Sequence, residues 1–400
     1  MTALKLVDDR VVCQVPGCGH KSHSLLDHLQ EAHGLSVSDY LAAHPGAATV
    51  SHALIQGVKA KRKGQRRSPA PALATLSHDM MGVKAPVNVA ISEGQCLPKP
   101  DGYQWPSTGK ALERTRRVVL ALRRGHPVFY WGPSGTGKDA AISAFCADTR
   151  TPSLIYTFTS GTDVKRWFYS REIGANGTSW SYGILWHALI NGIEAADGSR
   201  HPALICFSDV DRGTPEQLEE FRLMLDTTSK RLVGPTGQVH TLFPGTRFAF
   251  TANSCGTGDI DGRMSSRVMD ASLLDRMGRF VEAEYLDWKD EGAILRGKFA
   301  DLAAKAPLIF DELGAATLAI RNAIRGESTV DLEADLTHRG LCEILAECDD
   351  LLWLNGSVPK GLLKKGFRAW LDRLDPDNRL IAKSLIDAHV TGGVFADEDL

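Results

Sequence analysis

Two sets of side chains in this sequence have the types and the spacing to do chemistry. The first is Gly132, Pro133, Ser134, Gly135, Thr136, Gly137 and Lys138, the pattern G-x-x-x-x-G-K. Glycines at those positions let backbone N–H groups turn inward around phosphate oxygens, and the lysine brings a point charge to the β- and γ-phosphates of a nucleoside triphosphate such as ATP. The next position should hold a Ser or Thr whose hydroxyl binds Mg²⁺; here it is Asp139. The second set is Cys13, Cys18, His28 and His33, spaced C-x4-C-x9-H-x4-H. These are zinc-ligand types in zinc-ligand order. Two free thiols with incidental histidines is the other reading, and His20 and His23 complicate the count.

Each set needs a scaffold. Val128-Phe-Tyr-Trp131 leads into the glycine-rich loop and Ala140–Ala147 reads as a helix after it, which is the strand–loop–helix context such a loop requires. Pro127–Trp131, Ser153–Phe158, Ala203–Ser208 and Thr246–Ala252 are short, nearly continuous apolar runs. Strands of a parallel sheet covered by helices on both faces read this way, so the expected class is α/β. Residues 289–400 lack such runs and show helical periodicity, as over Leu341–Leu352. The expected layout is a Cys/His unit at 10–46, a linker at 47–100, an α/β core at 101–288 and a helical domain at 289–400. A unit of about 35 residues buries too little apolar surface to fold alone, which is the physical reason to expect a structural metal in the first.

Composition bounds the rest. The hydrophobic fraction is 43% and the net charge −2, so no global field draws the chain to nucleic acid or membrane. No apolar run reaches the roughly 18 residues of a membrane span, and Met1–Cys13 has no signal-like apolar stretch; a cytoplasmic location is expected. The 8 cysteines are spread thinly, which fits free thiols or metal ligands better than disulfides. Within the linker, Lys59, Lys61, Arg62, Lys63, Arg66 and Arg67 cluster. That run reads either as a solvated tether or as a contact to a nucleic-acid backbone; no aromatics interleave it to stack on bases.

From Pro127 to Asp287 the sequence resembles the MoxR branch of AAA+ P-loop NTPases, most closely the CobS type of cobaltochelatase ATPase subunit. The residues that carry the resemblance are His201-Pro-Ala-Leu-Ile-Cys-Phe-Ser-Asp-Val-Asp-Arg-Gly-Thr-Pro-Glu216 as the Walker B strand, Arg247-Phe-Ala-Phe-Thr-Ala-Asn253 with Gly256-Thr-Gly-Asp259 as sensor 1, Leu274-Asp-Arg276 as the arginine-finger step, and Thr337-His-Arg339 as a looser sensor 2. The amino-terminal unit, with His33-Gly-Leu-Ser-Val-Ser-Asp-Tyr40, resembles prokaryotic zinc fingers of the Ros/MucR type, with a longer cysteine spacing than that family usually has.

The resemblance implies an AAA+ core with a helical lid, a homo-oligomeric ring, hexameric in form, and ATP hydrolysis spent on a protein client or adaptor, or on nucleic acid. Asn253 would orient water or sense the γ-phosphate, Arg276 would act on a neighbouring subunit's site, and Arg339 would contact phosphate in its own. Each has a plainer reading: turn satisfaction for Asn253, an ion pair with Asp275 for Arg276 (Arg279 then serving as finger), and an ordinary surface arginine for Arg339. Ser208 stands where the family has the Walker B Asp, and Asp209 where it has the catalytic Glu. With Asp139 ligating Mg²⁺ and Ser208 supporting it, the pocket keeps one hydroxyl and one carboxylate, exchanged in place, and slow turnover is expected; the alternative is that both positions decayed independently and the ring only binds nucleotide. Lys230–His240 reads as a hairpin, and Gly174–Trp180 as a loop at the ring's channel, where Trp180 and Tyr182 would either grip a client or pack in the core. Four functions follow: a remodelling ATPase, a nucleotide-dependent scaffold or switch, a zinc-finger module that targets an AAA+ ring to DNA, and a cobalt-insertion subunit, which the finger and the altered pocket argue against.

Overall fold

A computed structural model describes residues 10–22, 24–51, 76–174, 177–226, 229–258 and 266–391. The chain divides into two units, Met1–Thr75 and Leu76–Leu400. The basic run Lys59–Arg67 lies outside the described residues, as do His23 and Asp259.

In the first unit Val11–Val12 (β1) pairs antiparallel with Lys21–Ser22 (β2), and helices Leu26–His33 (α1) and Val37–Ala43 (α2) follow. Ser36 caps α2, its hydroxyl accepting from the Asp39 N–H at 3.2 Å. The buried apolar core is Cys13, Leu25, Leu29 and Tyr40. Leu25 N–H donates to the Thr49 carbonyl at 2.8 Å and a bridge joins Ser24 to Val50, so the unit runs past the end expected at 46.

The second unit begins inside the expected linker. Ser77–Met80 (β3) and Val83–Pro86 (β4) form a hairpin whose Met80, Val83 and Ala85 pack on Val118, Val119 and Leu122 of Gly109–Arg123 (α3). The linker boundary therefore moves from 100 to 76. The two turn residues, Met81 and Gly82, both take left-handed backbone, which a two-residue hairpin turn needs; methionine there gives no turn signal.

Val128–Trp131 (β5), Lys138–Thr149 (α4), Ser153–Thr157 (β6), Lys165–Phe168 (α5), the paired Tyr169–Gly174 (β7) and Gly177–Tyr182 (β8), and Ile184–Asn191 (α6) come next. Then follow Ile193–Glu194 (β9), Arg200–His201 (β10), Leu204–Ser208 (β11), Pro215–Glu219 (α7), Arg231–Val233 (β12), Val239–Thr241 (β13), Arg247–Ala252 (β14), Ala271–Arg276 (α8) and Arg279–Glu282 (β15). Five of these strands make one sheet in the order β15-β5-β14-β11-β6, every pair parallel. The four expected strands are present, each one residue shorter than drawn. Strand β15 was not expected: Arg279 and Glu282 break the apolar run at the sheet's edge. Apolar clusters cover both faces of the sheet, which is why β11 reads as an unbroken apolar run.

The helical region holds Trp288–Lys298 (α9), Ala300–Lys305 (α10), Leu308–Ile324 (α11), His338–Asn355 (α12), Leu362–Leu371 (α13) and Pro376–His389 (α14) around Phe310, Leu341, Phe367 and Trp370. The region Lys230–His240 is the expected hairpin, β12 with β13. Gly174–Trp180, expected as a loop, belongs to the β7/β8 hairpin instead, with Ala175 and Asn176 outside the described residues. Alternation along Tyr169–Gly174 and Gly177–Tyr182 gives each arm two faces. Trp180 packs edge-on against Tyr169 and stays 39% exposed, whereas Tyr182 lies against Trp186 and accepts a hydrogen bond from Gln238.

Candidate nucleotide and metal sites

The loop from Gly132 to Gly137 joins the end of β5 to the start of α4, so α4's first N–H groups face the loop's concavity. Gly135 has φ +75°, and a Cβ there would lie 2.6 Å from the Thr337 Cβ. Tyr285 donates to the Ser134 carbonyl at 3.0 Å. The loop is thus braced from the helical region. Lys138 is buried and donates to the carbonyls of Gly132 (2.8 Å) and Pro133 (2.9 Å) and to Asn253 Oδ1 (3.1 Å). Burial lowers its pKa, and the neighbouring Asp139, Asp209 and Asp211 carboxylates oppose that.

Sheet order explains what meets Asp139. Strand β14 lies between β5 and β11, so the end of β14 stands between the loop and Ser208. Ser208 Oγ donates to Asp139 Oδ2 at 2.8 Å, and Thr251 Oγ1 to Asp139 Oδ1 at 2.7 Å; the two hydroxyls are 3.2 Å apart. Ser208 and Thr251 are both buried. Each carboxylate oxygen has two acceptor directions, so each keeps one for a cation. Hard oxygen donors of this kind suit Mg²⁺, and Asp139 with the Ser208 hydroxyl fits the group that the loop pattern implies. The sequence reading paired Asp139 with Ser208 and missed Thr251. Its signal was a lone hydroxyl in the apolar run Arg247-Phe-Ala-Phe-Thr-Ala252.

Asp209, next along, has left-handed backbone at φ 53°, ψ 41°, which Asp tolerates better than most residues. Burial raises its pKa, with Arg212, 3.7 Å away, acting in the other direction. Asp211 was also missed as a working residue. It is fully buried, and its Oδ2 accepts from the N–H groups of Asn253 (3.0 Å) and Ser254 (2.9 Å) and from the hydroxyls of Ser254 (3.1 Å) and Ser266 (2.6 Å). This clamps the end of β14 and turns the Asn253 side chain toward Lys138. An acid two residues past Asp209, in a stretch that otherwise reads as a surface turn, was its only sequence signal.

Behind the loop lies a cavity of about 810 Å³. Residues 100–104 and Pro106, the loop's Gly135–Gly137, the start of α4, Glu284–Leu286, and Glu291, Ile294, Lys298 and His338 line it. Its size and its place against a phosphate loop suit a nucleoside. A second cleft, about 400 Å³, holds Ser134 and Thr337 together with Arg339 and Arg373. Arg339 is therefore beside the phosphate loop of its own chain. Arg276 is not among the residues of either cavity; it folds back on α8, with Nη1 donating to the Ser272 carbonyl at 2.6 Å, and makes no ion pair with Asp275 among the described residues.

In the first unit the ligand atoms of Cys13, Cys18, His28 and His33 all lie within 4.8 Å of one another. Cys18 Sγ is 3.1 Å from His28 Nε2 and 3.2 Å from His33 Nε2; the two Nε2 atoms are 3.2 Å apart, and Cys13 Sγ is 3.6 Å from His33 Nε2. A zinc tetrahedron with bonds of about 2.0 Å to nitrogen and 2.3 Å to sulfur has edges of roughly 3.3–3.8 Å. The four groups therefore fit zinc. His20 stacks on His28 at 3.9 Å between ring centroids and is not one of the four.

Residues 127–277 match the family profile described as AAA domain (dynein-related subfamily). Among solved structures, a proline-to-glycine mutant of RuvB from Thermotoga maritima is similar at 15% identity, with 73% of this chain and 80% of that chain covered and a TM-score of 0.43. The RuvB Holliday junction branch migration motor of the same organism is similar at 14% identity over 70% and 76%, with a TM-score of 0.39. NtrX from Brucella abortus is similar at 13% identity over 76% and 66%, with a TM-score of 0.36. No curated protein matches the sequence.

Proposed function

We propose that this chain, which carries an AAA+ ATPase domain over residues 127–277, is the subunit of a homo-oligomeric ring that binds ATP, hydrolyses it slowly, and uses it to remodel a protein or nucleic-acid client. Within AAA+ proteins the reading favours the MoxR branch and the CobS type, with six subunits. The observation that carries it is the contact of Asp139 with Ser208 and Thr251. A decayed pocket has no reason to retain a half-buried carboxylate with a buried hydroxyl donated to each oxygen, because buried hydroxyls cost free energy unless they are satisfied.

In this reading the loop N–H groups and Lys138 hold the β- and γ-phosphates. Asp139 with Ser208 would hold Mg²⁺, which when bound neutralises charge that develops on the phosphates. Asp209 orients the attacking water; its raised pKa suits a proton acceptor, and its short side chain limits the rate. Asn253 links that water to Lys138. Arg339 touches phosphate from its own lid, and Arg276, free of both cavities of its own chain, serves the next subunit's site. Cys13, Cys18, His28 and His33 would hold a structural zinc, making the amino-terminal unit a finger that engages DNA or a protein adaptor. No helix among the described residues is long and apolar enough to cross a membrane.

A second reading is a nucleotide-dependent scaffold with little hydrolysis, favoured by one observation: the left-handed backbone at Asp209 and its proximity to Arg212 draw the carboxylate away from the freedom a water-positioning group needs. Steady-state ATP turnover with Mg²⁺ separates the two. Wild type should turn over ATP, whereas Lys138→Ala and Arg276→Ala should each lose most of it. Mixing the two variants should restore part of the activity at mixed interfaces. Normal turnover by Arg276→Ala would remove the finger assignment, and no turnover by wild type with ATP still bound would leave the scaffold.

A further inference from the structure

Beside the large cavity, α9 and α12 bring together a cluster that the phosphate chemistry does not use. His338 and Cys342 are one turn apart on α12 and share a face. From the end of α9, Lys298 directs its Nζ at Cys342 Sγ, 3.5 Å away. His338 Nδ1 lies 3.0 Å from Glu291 Oε1. Glu291 also accepts from Arg321 of α11, at 2.6 Å on one oxygen and 3.1 Å on the other; the pair is buried, at 1% and 8% exposure. A carboxylate held this firmly fixes the imidazole and favours its protonated form. Hydrogen bonds to Cys342 and Glu291 push His338 up to about 9. Burial opposes a thiolate at Cys342, but the hydrogen bond from His338 and the charges of His338 and Lys298 outweigh it, so the thiol's pKa is lowered. Burial pushes three other thiols the opposite way, Cys96 up to about 11 and Cys146 and Cys348 up to about 12. Cys342 is half-buried, so a small reagent can reach it.

We propose that Cys342 is a covalent modification site for low-molecular-weight disulfides, and that the adduct alters the lid wall of the neighbouring cavity. The second half rests on the nucleotide reading of that cavity; the first does not. Cationic neighbours on both sides are the setting in which a thiol becomes an attacking thiolate. The Cys342 thiolate attacks one sulfur of the disulfide. The S–S bond breaks, a bond forms from Cys342 Sγ to that sulfur, and the other half leaves as a thiolate that takes a proton from solvent. The adduct replaces the thiol between Lys298 and His338 with a neutral disulfide sulfur that carries a bulky substituent. Both of those side chains line the cavity, so the change alters its shape.

The test uses full-length protein and glutathione disulfide near pH 7, with sites resolved by peptide mass spectrometry. Cys342, with Lys298 and His338 beside it, should form the adduct about threefold or more faster than the partly exposed Cys255. Lys298→Met and His338→Gln should each slow Cys342 by about the same factor while leaving Cys255 unchanged. Iodoacetamide should give the same order of rates in wild type, a comparison that needs no variant to fold. Equal rates at Cys342 and Cys255, or a Cys342 rate indifferent to both substitutions, would overturn the site. For the second half, ATP binding is compared before and after treatment in wild type and in Cys342→Ser. Several-fold weaker binding in treated wild type alone is expected, and unchanged binding would overturn the coupling. If untreated protein binds no ATP, the nucleotide reading fails and the thiol result stands by itself.

Discussion

On the proposed reading, a carboxylate at the start of α4 in place of one at the end of β11 conserves the pocket's inventory and changes its charge map. Asp139 follows Lys138 of the phosphate loop directly, and the hydroxyls of Ser208 and Thr251 fix where its two oxygens point. Asp139→Ser and Ser208→Asp should therefore each cut Mg²⁺-dependent turnover by about tenfold or more, since each leaves two like groups where the pocket needs one of each kind. The double variant should recover most of the loss; a double variant no better than the worse single one would refute an exchange in place. Thr251→Val removes a buried donor to a carboxylate oxygen. A loss of about 1–3 kcal/mol of stability is expected in urea titrations, together with weaker Mg²⁺ dependence. Asp139 and Ser208 could be paired from sequence because the motifs around them fix their register. Thr251 could not, because nothing local says that a strand far along the chain inserts between them in the sheet.

At the scale of elements, the lid is tied together by a charge cluster in its interior. Glu291 on α9, Arg321 on α11 and His338 on α12 join three helices through two carboxylate oxygens. Breaking a buried pair from one side leaves the other charge uncompensated, so Arg321→Met should cost about 3–5 kcal/mol in the lid's unfolding transition. The pH dependence has two sides. His338 is raised to about 9 from an ordinary 6.5, so its contribution is complete below 6.5 and is lost as pH climbs through 9. Glu291 is lowered from an ordinary 4.5; burial alone would raise it, and its bonds to His338 and Arg321 overcome that. Its contribution is present above 4.5 and fades as pH falls through the lowered value. Urea midpoints measured against pH should fall on both flanks, and His338→Gln should flatten the alkaline one. Helices such as α12 were legible from their periodicity. The β3/β4 hairpin was not, since its short strands carry charged residues and its turn uses methionine.

For the whole molecule, the division at Thr75 and Leu76 predicts two folding units with different dependencies. Among the described residues the first has a buried core of four apolar side chains, too small to hold a fold without a crosslink. Purified protein should carry about one zinc per chain, and chelation should unfold the first unit while the thermal transition of the second stays in place; structural zinc supplies roughly 10–16 kcal/mol in units of this size. Metal analysis and calorimetry with and without chelator would read this directly, and zinc-free protein with an intact first unit would contradict it. The ligand set was legible because four residues of the right types fall within one short stretch of sequence. Which surface the unit presents to a partner was not, since the basic run after it carries the same charge pattern whether it contacts phosphates or water.

The contact between Gly135 and Thr337 also has a meaning across lineages. Any side chain at 135 would strike the Thr337 Cβ, and the left-handed backbone already narrows the choice there. Thr337 is held in turn because its hydroxyl caps α12 through the Gly340 N–H. The two positions cannot drift separately, although one belongs to the loop and the other opens a helix of the lid. Descendants of this chain should inherit glycine and a capping residue as a pair, or exchange both together.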